Sequence, residues 1–187
     1  MVDLLGRWPL SLMLTPMNWV RAVAWWGMGR WVQRSFPGVP TVTTQGLASW
    51  LDEGKAPAPI SPRSSLSTPI LIDVRRDYEF AVSHLPQAHH APNLDAVLGL
   101  GLAPHQPIVA YCSVGYRSAR LAAQLRSAGY SEVYNLAGSA FQWANEGRVL
   151  VSQGQPVKAV HPFNSVWGLL LKPGLAQPAE QSSSPML

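Results

Sequence analysis

With 187 residues, 47% of them hydrophobic and 13% charged, the chain has apolar material for a buried core but too little length for two full-sized domains with linkers. A single cysteine excludes an intramolecular disulfide and any paired-cysteine metal knuckle. The formal net charge of +4 suits an anionic small molecule, a membrane surface or nucleic acid, and its sign alone does not choose among them.

Residues 1–39 differ in composition from the rest: Trp8, Trp19, Trp25, Trp26 and Trp31 alternate with Arg7, Arg21, Arg30 and Arg34. Pro9, Pro16, Asn18 and Arg21 interrupt the apolar run, so no clean membrane span is expected. A secretory signal fits poorly as well, because Asp3 opposes the lone early cation Arg7 and no small-residue cleavage site follows. A cytoplasmic protein is expected. From Met17 to Arg34 the spacing of Val20, Val23, Ala24, Gly27 and Trp31 predicts an amphipathic helix ended by Pro37 and Gly38. That stripe is expected to pack on its own domain. Peripheral membrane contact through residues 17–35 is the competing expectation.

Beyond Pro40 an extended piece at Thr41–Thr43 leads into an amphipathic helix through Leu47, Trp50 and Leu51, with Thr44 as its expected cap. Ala56–Pro69, rich in Pro and Ser, reads as a long surface loop. Three short apolar runs follow, at Ile70–Val74, Ile108–Tyr111 and Val133–Leu136, and such runs suit buried parallel strands. Between the last two, Leu121, Ala122 and Leu125 predict a helix over Ser118–Ser127, stopped by Gly129. Strand, helix, strand implies a parallel crossover. The domain is placed at 40–151, a packed extension at 152–175 and a disordered tail at 176–187.

Cys112 stands where a strand pattern ends and a helix pattern begins, in Tyr111-Cys112-Ser113-Val114-Gly115-Tyr116-Arg117-Ser118. N–H groups at a helix start have no partner within the helix, so a loop wrapped around the sulfur forms an anion cradle. Arg117, and Arg120 beyond it, add positive potential, and both effects lower a thiol's pKa. Gly115 supplies a backbone conformation that a residue with a Cβ resists. An isolated cysteine at a strand end is more often a small buried hydrophobe, but this loop gives its reactivity a physical cause.

The segment Cys112–Ser118 resembles the active loop of the rhodanese family. Two further stretches share the resemblance. Upstream lie Asp73-Val74-Arg75, Tyr78-Glu79-Phe80 and His84-Leu85-Pro86-Gln87-Ala88; downstream lie Gly129-Tyr130, Asn135-Leu136, Gly138 and Trp143. Ser83, Gln87 and Ser139 depart from it, standing where glycine is common in the family. The resemblance covers about Thr41 to Val151 and implies an α/β fold with a central parallel sheet flanked by helices. It also implies that Cys112 accepts a sulfane sulfur from thiosulfate or another small anionic donor, or from a persulfide-donating protein. A thiol or cyanide-like acceptor then removes it. Ser113, Val114, Gly115, Tyr116, Arg117 and Ser118 would form the binding loop and Arg75 would contribute at its mouth, while Asp73 is expected to be structural, its carboxylate accepting N–H bonds or pairing with an arginine beneath the loop.

No cofactor is expected, since the sulfur is carried covalently. A metal is not expected either, because His84, His89 and His90 fall in a turn motif while His105 and His161 are scattered. The basic residues are spread too thinly for nucleic acid. A cysteine phosphatase is the rival enzyme reading, but only Ser113, Val114, Gly115 and Tyr116 separate Cys112 from Arg117, a ring short for tetrahedral phosphate. A binding or sensing module without sulfur transfer is the rival of another class. His161-Pro162-Phe163-Asn164 and Trp167-Gly168 read as packing, with no chemistry assigned.

Overall fold

The structure, a computed structural model, describes residues 16–53 and 68–178. The first fifteen residues, most of the Pro/Ser stretch and the end of the expected tail lie outside the described residues.

The three apolar runs become adjacent strands. β1 (Thr41–Val42), β2 (Ile70–Asp73), β3 (His89–His90), β4 (Ile108–Tyr111) and β5 (Val133–Leu136) form a parallel sheet in the order β1-β5-β4-β2-β3. β4 is central, with all four residues buried. Side chains alternate across a strand, so β4 feeds two cores. Val109 and Tyr111 face one, with Trp50, Leu136 and Phe141; Ile108, Ala110 and Cys112 face the other, with Ile72, Leu121 and Leu125. Each large apolar side chain buried this fully contributes about 1.5–3 kcal/mol.

Helices cover both faces, as a parallel sheet requires. α2 (Thr44–Glu53) and α6 (Ser139–Asn145) supply Leu47, Trp50 and Phe141 to the first core, and α5 (Tyr116–Ser127) supplies Leu121, Ala122 and Leu125 to the second. The cap of α2 is Thr43, whose Oγ1 accepts from the Gly46 N–H at 3.0 Å, rather than Thr44, whose hydroxyl donates to Glu146. α5 begins at Tyr116, two residues ahead of the expected start, because Gly115 serves as its N-cap.

The N-terminal helix, α1 (Pro16–Ser35), packs on the domain by a different stripe from the one expected. Arg21, Trp25, Met28 and Val32 turn inward and Val20, Val23, Ala24 and Gly27 are exposed, while Trp31, of the expected stripe, is half exposed and lays its ring on Tyr116. Trp25 reaches the first core, and the Arg21 guanidinium donates to the Leu169 carbonyl at 3.3 Å. Large aromatic contacts outweighed the small-residue periodicity. The C-terminal extension carries the hairpin β6 (Leu150–Ser152) and β7 (Gln155–Val157), then the single turn α7 (Ser165–Gly168). Asn145 on α6 ties it down, donating to Leu170 O and accepting from Lys172 N. Ala176, placed in the expected tail, instead bridges Val160.

Arg75, expected at the loop mouth, is wholly buried beside β2. Its Nε and Nη2 donate to the Asp73 carboxylate at 2.7–3.1 Å, Nη2 also donates to Ser83 O, and the guanidinium lies 5.9 Å from the Tyr111 ring center. Burial favours losing that charge, but Asp73 overcomes it and holds Arg75 protonated. Asp73 thus has the structural role expected of it, accepting from the Arg75 N–H at 2.9 Å and pairing with the Arg75 guanidinium. Removing one partner of such a pair leaves the other charged in the interior. Asp73→Ala is expected to lower stability by about 3–5 kcal/mol in urea denaturation. The double variant Asp73→Leu/Arg75→Met should lie closer to wild type than either single change.

Candidate active site

Cys112 follows the central strand at the carboxyl edge of the sheet, where βα loops gather in such folds. Its loop is held from behind by the start of α6. The unpaired N–H groups of Ala140 and Phe141 donate to the carbonyls of Cys112 and Ser113 at 3.0 and 3.1 Å, and the Cys112 N–H donates to Ser139 Oγ at 3.2 Å. With its carbonyls turned toward α6, the loop presents N–H groups to the sulfur. The Gly115 N–H lies 3.1 Å from Sγ, and Gly115 has φ of +108°, a conformation that disfavours any other residue.

Burial pushes the Cys112 thiol up, but the Arg117 charge, the Ser118 N–H and hydroxyl, and the Gly115 N–H together hold it below the ordinary cysteine range. Ser118 is fixed by Asn135, whose Oδ1 accepts from its hydroxyl at 2.7 Å. Arg120, expected to add potential, is exposed on α5.

Glu79, on α3 (Asp77–Val82), organises the other side of the loop. It is fully buried, accepts from Arg117 Nη1 and Nη2 at 2.8 Å each, from Ser113 Oγ at 2.9 Å, and from the Arg76 N–H at 3.0 Å. Burial alone would raise its pKa; these donors hold the carboxylate below the usual range. A buried acid six residues before the Leu85-Pro86 turn carries no chemical signal in the sequence, where Glu79 stands only as part of a motif.

Six of the residues expected at the site come together: Cys112, Ser113, Val114, Tyr116 and Arg117 line a cavity of about 170 Å³, and Gly115 lies behind the sulfur. Ser118 is buried beneath it, and Arg75 and Asp73 stand apart. The remaining walls come from outside the domain. Trp31 of α1 stacks on Tyr116 at 4.3 Å, Phe163 lies 5.0 Å from the Arg117 guanidinium, and Trp167 closes the rim. The segment read as mere packing thus builds part of the site; aromatic residues distant in sequence gave no periodic signal to mark it. Among the described residues no group of three His, Cys, Asp or Glu side chains is arranged to hold a metal.

Fold and site together define a parallel α/β domain presenting one cysteine thiol, its pKa lowered, in a backbone cradle at a helix start. A family model for the rhodanese-like domain matches residues 57–146. The thiosulfate sulfurtransferase GlpE of Pseudomonas fluorescens is 30% identical over 90 residues, 46% of this chain and 81% of that protein. The probable adenylyltransferase/sulfurtransferase MoeZ of Mycobacterium tuberculosis is 33% identical over 109 residues, 57% of this chain. The chain spans only 25% of MoeZ's length. The thiosulfate sulfurtransferase structure from Pseudomonas aeruginosa superposes with a TM-score of 0.54 at 20% identity, over 71% of this chain and 23% of that one, a likeness of fold. The chain belongs to the rhodanese-like family.

If the Arg117 charge is what holds the thiol down, Arg117→Gln should move the pH midpoint of Cys112 alkylation upward, while Arg120→Gln should leave it in place. Alkylation rates across pH, with circular dichroism to confirm folding, test this. An unmoved midpoint in Arg117→Gln would remove the guanidinium as the cause.

Proposed function

We propose that the protein is a sulfurtransferase that carries a sulfane sulfur on Cys112. The observation that carries this reading is a thiol held below its ordinary pKa at the floor of a cavity, with the Gly115 N–H on its sulfur. The Cys112 thiolate attacks the outer sulfur of thiosulfate or a persulfide. A bond forms between Sγ and that sulfur, the donor's sulfur–sulfur bond breaks, and the remainder leaves with the electron pair. A thiol or cyanide-like nucleophile then attacks the outer sulfur of the Cys112 persulfide and restores the thiolate. Arg117 and the N–H groups of the loop stabilise the anion at each stage. The chemistry needs no cofactor, because the transferred atom is itself the covalent link. Arg75 acts only through the fold.

The outer face of α1 supports a peripheral attachment to an anionic membrane surface. Trp19, Val23, Trp26 and Arg30 share that face, Trp19 and Trp26 are 57% and 67% exposed, and the Arg30 guanidinium lies 5.2 Å from the Trp26 ring. Tryptophan beside arginine suits the headgroup boundary, and the net charge of +4 favours anionic lipid. No helix among the described residues is long and apolar enough to cross a membrane.

Two measurements follow. Incubation with thiosulfate or a persulfide should add one sulfur to the intact mass, and Cys112→Ser should abolish both that gain and thiocyanate formation from cyanide. Absence of a persulfide from every donor would leave a binding module as the better reading. In liposome sedimentation, the protein should pellet with phosphatidylglycerol vesicles and not with phosphatidylcholine alone. Trp19→Ser/Trp26→Ser should cut the bound fraction several-fold, roughly as expected for lost interfacial apolar area; no association with either vesicle would exclude the attachment.

A further inference from the structure

The cavity over Cys112 is unusual in charge for a site that would take a small dianion. Arg117 is the one cationic side chain among the described residues lining it, and both of its terminal nitrogens are engaged by Glu79. The face of that guanidinium is covered by the Phe163 ring. Ser113, the remaining polar side chain on the wall apart from Tyr116, donates its hydroxyl to the same carboxylate. The guanidinium is thus shared between Glu79 and the Cys112 sulfur, and the surface above the sulfur is left to aromatic rings.

Those rings are held in place. Trp31 and Tyr116 stack with planes 9° apart, and Phe36 meets Tyr116 edge-on at 5.2 Å. Phe163 has φ of +64°, a conformation that a bulky residue rarely adopts. Its N–H donates to His161 Nδ1 at 3.0 Å, and His161 is itself buried against the Tyr78 ring. Such strain persists where surrounding contacts hold it, and here they hold an aromatic ring over the site. Trp167 is fixed by Asn164, whose Oδ1 accepts from its N–H at 2.9 Å.

We infer that the aromatic slot formed by Trp31, Tyr116, Phe163 and Trp167 over Cys112 selects an organic persulfide with an apolar R group, in preference to thiosulfate or a persulfide whose R group is charged. The inference rests on the sulfur-transfer reading. In the loading step R–S–S–H enters with R against the rings and its outer sulfur against Sγ. The Sγ–S bond forms, the bond to R–S breaks, and R–S leaves as a thiolate with the electron pair. Cys112 is left as a persulfide that retains the proton of the outer sulfur. No oxidant or reductant is required. An ionic R group would lose its hydration among the rings, where the one cationic lining side chain among the described residues is already held by Glu79 and the Cys112 sulfur, and the same cost falls on the sulfonate end of thiosulfate.

Loading of Cys112 by benzyl persulfide, glutathione persulfide and thiosulfate, followed by intact mass against time, tests the inference. Rates for the two persulfides are divided by those for a free small-molecule thiol, so that intrinsic reactivity cancels. Benzyl persulfide is expected to load about tenfold or more faster than glutathione persulfide. Phe163→Ala and Trp167→Ala should each reduce that preference, and Trp167→Leu, which keeps apolar volume, should retain more of it than Trp167→Ala. Equal rates for the two persulfides, thiosulfate as the fastest donor, or a preference untouched by all three substitutions in folded protein would overturn the inference and leave sulfur transfer standing. No loading by any donor would overturn sulfur transfer itself.

Discussion

Glu79 has no exposed surface, and an ionised carboxylate taken from water costs several kcal/mol unless its oxygens are filled by donors. Those donors are Arg117, Ser113 and the Arg76 N–H, and meeting the requirement fixes both ends of the thiol loop against α3. Once Ser113 and Arg117 are anchored, the residues between them must turn tightly, and the positive φ of Gly115 lets them do so. The turn brings an N–H onto Sγ, and with the Ser118 donors and the Arg117 charge it reverses what burial alone would do to the thiol. The lowered pKa of the Cys112 thiol is therefore inherited from the need to satisfy a buried acid on another helix.

The departures from glycine illustrate a trade between backbone ease and side-chain bonding. Ser139 has φ of +51°, where glycine would sit without strain, yet its hydroxyl donates to Leu136 O and accepts from the Cys112 N–H. A glycine there would relieve the backbone and leave that N–H without this partner. Gln87 likewise sits at φ of +61°, whereas Ser83 is extended and needs no glycine. The three substitutions that looked alike in sequence differ in physical consequence.

Much of the fold was legible because the strands are short, apolar and fully buried, so each announced itself as a run. The loop was legible for a local reason: strand, cysteine, glycine, arginine and helix lie in consecutive order. What escaped notice depends on contacts between distant segments. The inward stripe of α1 was misassigned because Trp25 and Val32 compete with smaller apolar residues on a neighbouring face, and only the domain surface decides between them. Arg75 sits next to a strand end and looked available to the site, but Asp73 two residues earlier draws it into the interior. Phe163 and Trp167 reach the thiol only because Asn145 docks the C-terminal extension on α6.

Net charge was the poorest guide of all, and the reason is one of scale. A formal +4 describes a field at a distance, where it can attract anions or an anionic surface. At contact distance the wall of the cavity sets the interaction, and there Glu79 engages both terminal nitrogens of Arg117 while the guanidinium charge still acts on the Cys112 sulfur. The rhodanese-like core thus supplies the thiol and its cradle, while Trp31, Phe163 and Trp167, all outside the matched stretch of residues 57–146, line the cavity around it. The donors to the sulfur and the aromatic walls then lie on different parts of the chain, so the flanking aromatic residues can change without disturbing the donors that hold down the thiol.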